Sequence, residues 1–259
     1  MSTSQLLVTT PQFTDTPRYS LLVARQEAEV RAAQRLRHRV FAGELGAVLH
    51  SPEPGLDVDD FDAHCDHLVV REDRTGEIVG TYRMLAPGGA RSAGGLYCET
   101  EFAVPGLAGL RDAMVETGRS CVHPDHRTGA VVSLVWAGIA RYLLLTGHRW
   151  LVGCASVPLR TPGDPDGALA AGVWDTVRAR HFAPEQYRVT PLVPWDDEGV
   201  PRLHRTTLPP LLRGYLRLGA WVRGPPAHDP DFGVADFLVL LSLSRVEPRY
   251  LRHFLGAGA

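Results

Sequence analysis

The most evident absence in this chain of 259 residues is lysine, because all 27 of its basic residues are arginine. We attribute this to codon preference in a GC-rich genome, since arginine, alanine, glycine and proline are all plentiful. An excess of positive charge is also absent, and the formal net charge is −2. Nucleic-acid-binding domains depend on such an excess, so the composition argues against nucleic acid as a partner.

Long apolar segments and closely spaced cysteine pairs are absent too. The longest apolar run, FLVLLSL near residue 240, is far shorter than the roughly 20 residues that cross a bilayer. No basic segment followed by an apolar one occurs in the first 20 residues, so we expect no signal peptide. The four cysteines are scattered without a CxxC pair, which suits a reducing compartment. These absences predict a cytoplasmic protein that meets a membrane only peripherally.

The order of predicted elements indicates a mixed α/β fold. Residues 1–18 are polar with several threonines and prolines, and we expect a flexible arm there. Apolar residues at spacings of three and four predict an amphipathic helix that ends near Gly46. A hairpin, a strand, a helix and a buried strand follow over residues 67–85, 114–122, 129–146 and 150–157. We expect loops at the glycine-rich residues 86–95 and at the proline-rich residues 225–233. The whole predicts one domain over residues 19–259, with a central sheet flanked by helices.

The segment ETGRSCVHPDHR, residues 116–127, concentrates reactive side chains and allows three interpretations. A metal site is the first, since Cys121, His123 and His126 lie close together, as do the residues of HCDH at 64–67. Neither cluster has the ligand spacing of a zinc motif, so we expect no metal. A nucleophilic Cys121 is the second interpretation. It is disfavoured because this cysteine lies in a predicted buried strand, where cysteines behave as small hydrophobic residues.

In the third interpretation, the strand holds an acyl thioester through its backbone. The pantetheine arm of such a donor contains amides that pair with an exposed strand, which here would be Ser120, Cys121 and Val122. The turn formed by Arg127, Gly129 and Ala130 opens a helix whose N–H groups bind the donor phosphate. Glu116 then accepts a proton from the attacking amine, directly or through water. The structural alternative for Glu116 is an ion pair with an arginine such as Arg119.

Several segments together resemble the GNAT superfamily, and within it the ornithine-lipid N-acyltransferases, which are related to the acyl-homoserine-lactone synthases. The resemblance covers roughly residues 20 to 245. Each segment alone is weakly specific, and the combination is specific. The matching segments are AAQRLRHRVFAGELGA at 32–47, DVDDFDAHCDHLVV at 57–70, GTYRML at 80–85, YCETEF at 97–102, ETGRSCVHPDHR at 116–127 and LVGCASV at 151–157.

The resemblance implies a GNAT-like fold in which two parallel strands splay apart to hold the thioester. It also implies transfer of a fatty, typically 3-hydroxyacyl, group from acyl carrier protein to the α-amino group of ornithine, with no permanently bound cofactor. By position, the acceptor pocket and the catalytic pair of the lactone synthases fall on Arg39, Phe41, Asp59, Asp62, Arg83, Glu116 and Arg119. An arginine such as Arg39 or Arg83 suits the carboxylate of ornithine, and Asp59, Asp62 or Glu101 suits its ammonium.

Two features depart from the family pattern. The phosphate-binding turn HRTGAVV has a single glycine, which favours the one phosphate of carrier-bound phosphopantetheine over the pyrophosphate of coenzyme A. His126 replaces a tyrosine that is common before this turn. An acyltransferase that uses acyl-CoA, or that acts on another amino acid or amine, is the main alternative. A lactone synthase is disfavoured because GELGA lacks that family's aromatic residue after the first helix, and a non-catalytic lipid-binding module is disfavoured by the retained Glu116.

Overall fold

The computed structural model describes residues 3–10 and 17–255, except the side chains of residues 253 and 255. Within them, the strands are β1 (Gln5–Thr9), β2 (Tyr19–Val23), β3 (Asp66–Glu72), β4 (Ile78–Leu85), β5 (Phe102–Ala103), β6 (Met114–Val122), β7 (Trp150–Pro158), β8 (Thr190–Pro191), β9 (Trp221–Val222), β10 (Ala227–Asp229) and β11 (Val234–Ser242). The helices are α1 (Glu27–His38), α2 (Pro87–Ser92), α3 (Gly129–Thr146), α4 (Ala168–Arg180), α5 (Pro210–Arg217) and α6 (Pro248–Leu255). The mixed α/β class predicted from the sequence is confirmed.

The described chain forms two compact units. The first consists of Met1–Gly94, Thr117–His148 and Pro248–Ala259, as far as these ranges are described. The second consists of Gly95–Glu116 and Arg149–Glu247. Strand β6 therefore begins in the second unit and continues into the first. The prediction that residues 19–259 form one domain remains a prediction.

The first unit is built on the sheet order β1-β2-β3-β4-β6, in which β1 to β4 pair antiparallel. Helix α1 covers one face, because Leu22 of β2 and Ala33 of α1 share a buried apolar cluster. The neighbouring side chain, Leu21, points the opposite way, where it lies against Gly138 of α3. The hydrophobic alternation of β2 thus places a helix on each face of this sheet.

The N-terminal residues differ from the predicted flexible arm. Gln5–Thr9 form β1, which pairs with β2, and residues 1–2 and 11–16 lie outside the described residues. Leu7 is buried, and its backbone oxygen accepts a hydrogen bond of 2.6 Å from Arg141 of α3. One buried side chain and the backbone pairing are enough to order this edge strand.

Two predicted loops also contain regular structure. The glycine-rich connector at 86–95 holds α2, which begins at a proline, the residue best suited to a first helical position. The loop at 225–233 contains β10, which pairs with β11 through three residue pairs. Short elements of this kind are stabilised by their neighbours, so local sequence does not reveal them.

The second unit has the sheet order β6-β7-β11-β10, with β9 also paired to β11. Strands β7 and β11 pair antiparallel along nine residues each. The first three residues of β6 pair with β7 in parallel, and this ladder ends at Glu116 opposite Val152. The sheet is therefore mixed, and its one parallel ladder within the described residues is short.

Helix α3 matches the predicted boundaries and ends at Gly147, whose φ of 73° lies in the left-handed region that glycine adopts readily. By length and composition α3 is apolar enough to cross a membrane. It contacts β1, β2, β3 and α6, and 44% of its apolar window is buried. A core helix has the same properties, and these contacts place α3 in the core of the first unit.

Candidate active site

The first unit contains a buried group of ion pairs centred on Arg37 of α1, which we call the Arg37 network. Arg37 is fully buried, and its Nη1 donates to Oδ1 of Asp62 at 2.9 Å. Its Nη2 donates to Oδ2 of the same carboxylate and to the backbone oxygen of Asp57. Its Nε lies 2.9 Å from Oδ2 of Asp57. Two carboxylates therefore compensate a charge whose burial would otherwise be very unfavourable.

Arg83 of β4 and Arg119 of β6 extend this network. Nη1 of Arg83 donates to Asp59 and lies 3.3 Å from Oδ1 of Asp62. In Arg119, Nε lies 3.4 Å from Oδ2 of Asp57, and Nη2 lies 3.2 Å from Oδ2 of Asp59. Guanidinium and carboxylate groups thus alternate, and the charges of the network neutralise one another.

The pKa shifts agree with this mutual compensation. Burial by itself would raise the pKa of Asp62, but the hydrogen bonds and the charge of Arg37 outweigh it and lower the pKa to about 2. Burial would lower the pKa of Arg83, yet the charge of Asp59 outweighs it, and the pKa is raised. These groups stay ionised throughout the neutral range.

The structure brings four of the acceptor and catalytic residues predicted from the sequence into this network: Asp59, Asp62, Arg83 and Arg119. Of the other two predicted acceptor residues in the first unit, Phe41 is buried and Arg39 is exposed. Sequence reasoning missed Arg37, although a signal was present. Arg37 lies four residues after Ala33 and four before Phe41, so it falls on the apolar stripe of the helix.

The backbone of Arg119 is unusual. Its φ of 50° makes it the only non-glycine residue in the left-handed region within residues 3–10 and 17–255. Such a conformation costs roughly 1 kcal/mol or more for a residue with a Cβ atom. The ion pairs of Arg119 with Asp57 and Asp59 help to hold it, so strain and charge pairing coincide in the middle of β6.

The predicted donor-binding residues lie along β6 and at the start of α3. Cys121 is buried, and burial raises the pKa of its thiol to about 12, which disfavours its interpretation as a nucleophile. Ser120 and Val122 are half-buried, and the oxygen of Val122 accepts a hydrogen bond from Nε of Arg127. Gly129 and Ala130 form the exposed first turn of α3, after the N-cap Thr128.

Arg127 is already paired. Its two terminal nitrogens donate to the two carboxylate oxygens of Glu44 at 2.6 Å each, a bidentate arrangement. This pair lowers the pKa of Glu44 through the hydrogen bonds from Arg127. It also fixes the turn before α3 against the segment that follows α1.

The histidines that suggested a metal site serve local structure. Nδ1 of His123 accepts a hydrogen bond from the backbone N–H of Asp125 at 3.2 Å. Nδ1 of His126 lies 2.9 Å from the hydroxyl of Tyr19, and Nε2 of His67 lies 3.1 Å from the backbone oxygen of Asp62. These contacts give the rings of His67, His123 and His126 structural partners.

In the second unit, Glu116 holds a short 3-10 helix, Tyr97–Thr100. Its two carboxylate oxygens accept hydrogen bonds from the backbone N–H groups of Tyr97 and Cys98, at 2.6 and 2.7 Å. Glu116 is buried. Charge-assisted hydrogen bonds of this kind stabilise the first turn of a helix and fix the carboxylate in position.

Glu101 lies in a different environment within the same unit. Its carboxylate accepts a hydrogen bond from the thiol of Cys154 at 3.5 Å. Burial, and then the negative charge of Asp236, raise the pKa of Glu101 from 4.5 to about 8. In the described residues, the one set of three side chains whose ligand atoms all lie within 4.8 Å of one another is Glu101, Asp229 and Asp236. We call this set the acidic cluster, and such a set suits a cation.

The acidic cluster lies on one face of the sheet in the second unit. Ser156 is paired with Asp236 across β7 and β11, and its hydroxyl donates to that carboxylate at 2.6 Å. Alternate residues of a strand share a face, so Cys154 lies on the same face as Ser156. Glu116, which lies opposite Val152, is on this sheet face too. Sequence analysis missed Asp236, whose signal is a charge inside an otherwise apolar strand.

Comparison with known proteins gives consistent matches. A family model described as an acetyltransferase (GNAT) domain matches residues 36–137. An L-ornithine N(alpha)-acyltransferase of Rhizobium meliloti is 38% identical over 253 residues, covering 92% of this chain and 84% of that protein. A protein of the same name from Agrobacterium fabrum is 35% identical, covering 90% of this chain and 84% of that protein.

Solved structures give the fold. A CoA-dependent acyl-homoserine lactone synthase, BjaI, with SAM and isopentyl-CoA, matches with a TM-score of 0.52 and 17% identity. The match covers 90% of this chain and 85% of that chain. At this identity the likeness concerns the fold, and it confirms the GNAT-like arrangement predicted from the sequence.

Proposed function

The chain belongs to the L-ornithine N(alpha)-acyltransferase family, and on that premise we propose that it acylates the α-amino group of ornithine to give a lyso-ornithine lipid. The observation that carries this proposal is the 38% identity over 92% of the chain to an L-ornithine N(alpha)-acyltransferase. The family resemblance found in the sequence is thereby confirmed. Acyltransferases of this type use an acyl thioester as donor.

The donor in this proposal is a fatty acyl group, typically 3-hydroxylated, carried by acyl carrier protein. The single glycine in the turn before α3 supports a donor with one phosphate. The exposed N–H groups of Gly129 and Ala130 suit a phosphate at the N-terminus of the helix. An acidic carrier protein would dock on surface arginines, of which this lysine-free chain has many.

The acceptor in this proposal is recognised chiefly through the acidic cluster. Of the acceptor residues predicted from the sequence, Glu101 belongs to this cluster, and a set of carboxylates attracts an ammonium group. Asp59, Asp62 and Arg83 already neutralise one another in the Arg37 network. We therefore assign them the structural role of holding α1, β4 and β6 together.

Two carboxylates compete for the role of general base. Glu116 was predicted from the sequence, but two backbone N–H groups already bind its oxygens. Glu101 has its pKa raised to about 8, close to the value that suits proton transfer near neutral pH. We assign the base to Glu101 and a positioning role to Glu116. Glu101 first takes a proton from the bound ammonium, and the resulting amine nitrogen attacks the thioester carbonyl carbon. The thiolate then leaves and takes up the second nitrogen-bound proton to become the thiol.

We place the reaction in the cytoplasm, with peripheral contact to the membrane that receives the lipid product. Leu144 and Leu145, near the end of α3, are exposed despite being large and apolar. Such side chains suit contact with a lipid surface. This location follows from the acyl donor as well, because acyl carrier protein thioesters are cytoplasmic.

Mass spectrometry of reaction products tests the proposed function. The purified protein is offered acyl carrier protein and coenzyme A thioesters of several chain lengths, each against ornithine, other amino acids and simple amines. We expect N-acyl ornithine from the carrier-protein thioester. Product formed only from acyl-CoA, or only with another amine, would instead support the alternative acyltransferase. A parallel reaction with EDTA checks that the acidic cluster works without a metal ion.

A further inference from the structure

Arg223 is a fully buried arginine of the second unit. Its Nε donates to the backbone oxygen of Tyr187. Neither Nη1 nor Nη2 has a hydrogen-bond partner within residues 3–10 and 17–255. Buried guanidinium groups are normally paired, since an unpaired buried charge is strongly unfavourable. Within the part of the chain that the structure describes, Arg223 forms no ion pair, so its guanidinium can bind an anion.

The backbone around Arg223 is rigidly placed. Its N–H donates to the oxygen of Leu238 at 2.9 Å, and its own oxygen accepts from Val189 at 3.0 Å. Gly224 permits the close approach of Val189, because a Cβ atom at position 224 would lie 2.4 Å from the backbone oxygen of Val189. The position of this guanidinium is therefore built into the sheet of the second unit.

The strand register places Arg223 on the face that carries the acidic cluster. Val222 pairs with Val239, so Arg223 lies opposite Leu238, which itself pairs with Cys154 of β7. Directly opposed residues share a face, and so do residues two apart on a strand. Asp236 lies two residues before Leu238, about 7 Å along β11. A cation site and an anion site thus share one face, in neighbouring positions of the strand register.

We propose that Arg223 binds the carboxylate of the acceptor amino acid while the acidic cluster binds its ammonium. This inference rests on the proposed function and names the residue that restricts the acceptor to amino acids. Nη1 and Nη2 form a planar fork that matches the two oxygens of a carboxylate. A diamine without a carboxylate would leave Arg223 unpaired and would be rejected.

The charge and the contacts of Arg223 are consistent with this role. Burial lowers the pKa of Arg223 to about 10, so the side chain remains a cation at neutral pH. Burial, and then the charge of Glu116, keep the neighbouring Cys98 a neutral thiol by raising its pKa. The oxygen of Tyr187 that contacts Arg223 belongs to a three-residue 3-10 helix, Glu185–Tyr187. This contact occupies Nε and leaves Nη1 and Nη2 for the carboxylate.

The test compares the wild type with Arg223→Met, Arg223→Lys and Arg178→Met, the last being an exposed arginine of the same unit as a control. Each protein is assayed with ornithine, ornithine amide and putrescine. We expect the KM of Arg223→Met for ornithine to rise at least tenfold, with a smaller change in kcat. Its preference for ornithine over the amide should fall to near one. Arg223→Lys should be intermediate, and Arg178→Met should match the wild type.

Stability and binding separate the alternatives. Arg223→Met should melt no lower than the wild type, because it removes an unpaired buried charge. A lower melting temperature with unchanged KM and unchanged selectivity would overturn the proposal and make Arg223 structural. If the wild type does not acylate ornithine, the proposed function fails on its own. Calorimetry then still tests the carboxylate contact, by measuring the binding of ornithine and of ornithine amide to the wild type and to Arg223→Lys. Equal affinities of the wild type for ornithine and its amide would overturn the proposal.

Discussion

Arg37 in the first unit and Arg223 in the second are both fully buried arginines, yet their surroundings are opposite. Arg37 is bound by Asp57 and Asp62, which also pair with neighbouring arginines. Arg223 has two nitrogens without a hydrogen-bond partner among the described residues, and it shares a sheet face with carboxylates that crowd one another. A region whose charges are mutually satisfied holds a fold together. A region whose opposite charges are held apart is suited to a ligand that carries both.

Replacing Arg37 should produce the largest effect on stability. Arg37→Met leaves Asp57 and Asp62 buried without their main partner, which we expect to reduce the free energy of unfolding by about 3 to 5 kcal/mol. Urea denaturation of Arg37→Met beside Arg223→Met measures the contrast directly. Equal losses in the two variants would remove the distinction between the two regions.

Replacing Glu101 should produce the largest effect on activity. Glu101→Gln keeps the shape of the side chain and removes the proposed base, so kcat/KM should fall roughly 100-fold or more without unfolding. Glu116→Gln loses one carboxylate oxygen that accepts a backbone N–H, and we expect it to loosen residues 97–100 and to lower activity less.

Rates measured against pH for both variants decide between the two carboxylates. The wild-type kcat/KM should rise with pH as Glu101 ionises, and Glu116→Gln should keep this rise. If Glu101→Gln keeps the pH dependence while Glu116→Gln loses turnover with its fold intact, the base is Glu116.

Stability should depend on pH through Glu101 and not through Asp62. The pKa of Glu101 is raised from 4.5 to about 8 in the folded protein, so between these values the folded state holds a proton that the unfolded state has lost. Stability from this group therefore falls as pH rises from about 5 to 8, and Glu101→Gln should lack that fall. Asp62, with its pKa lowered to about 2, contributes stability above its ordinary pKa and loses it only in acid. Denaturation midpoints between pH 5 and 8 test this contrast, and parallel curves for wild type and Glu101→Gln would contradict it.

The smallest expected effect concerns the exposed pair of Arg127 and Glu44. Because both side chains are partly in solvent, Glu44→Gln should change the free energy of unfolding by less than about 1 kcal/mol. Thermal melting at low and high salt checks this value. A loss comparable to that of Arg37→Met would mean that the turn before α3 depends on this pair far more than an exposed ion pair normally allows.

Much of the fold was predictable because its long elements have strong local patterns. Strand β6 and helix α3 have their predicted boundaries, and in α3 the reason is that apolar residues keep helical spacing while glycine marks both ends. Strand β1 and helix α2 were missed, because five or six residues contain too little pattern and their order comes from pairing and packing.

The candidate site was predictable only where a motif named its residues. The resemblance pointed to Asp59, Asp62, Arg83 and Arg119, and the structure brings these residues together. The structure also adds the buried Arg37, which pairs with Asp62. Arg223, Asp229 and Asp236 lie close together in the second half of the chain, in or just after the consecutive strands β9, β10 and β11. They share one face only through the pairing of β9 and β10 with β11.

The sequence by itself determined the family, the mixed α/β class and the types of reactive side chain that are present, because these depend on residue types and on local order. Which charges neutralise one another was decided by the tertiary structure, because pairing depends on distance and burial. Asp62 and Glu101 are both acidic residues in acid-rich segments, and sequence gives no reason to separate them. Three-dimensional packing lowers the pKa of Asp62 beside Arg37 and raises that of Glu101 beside Asp236.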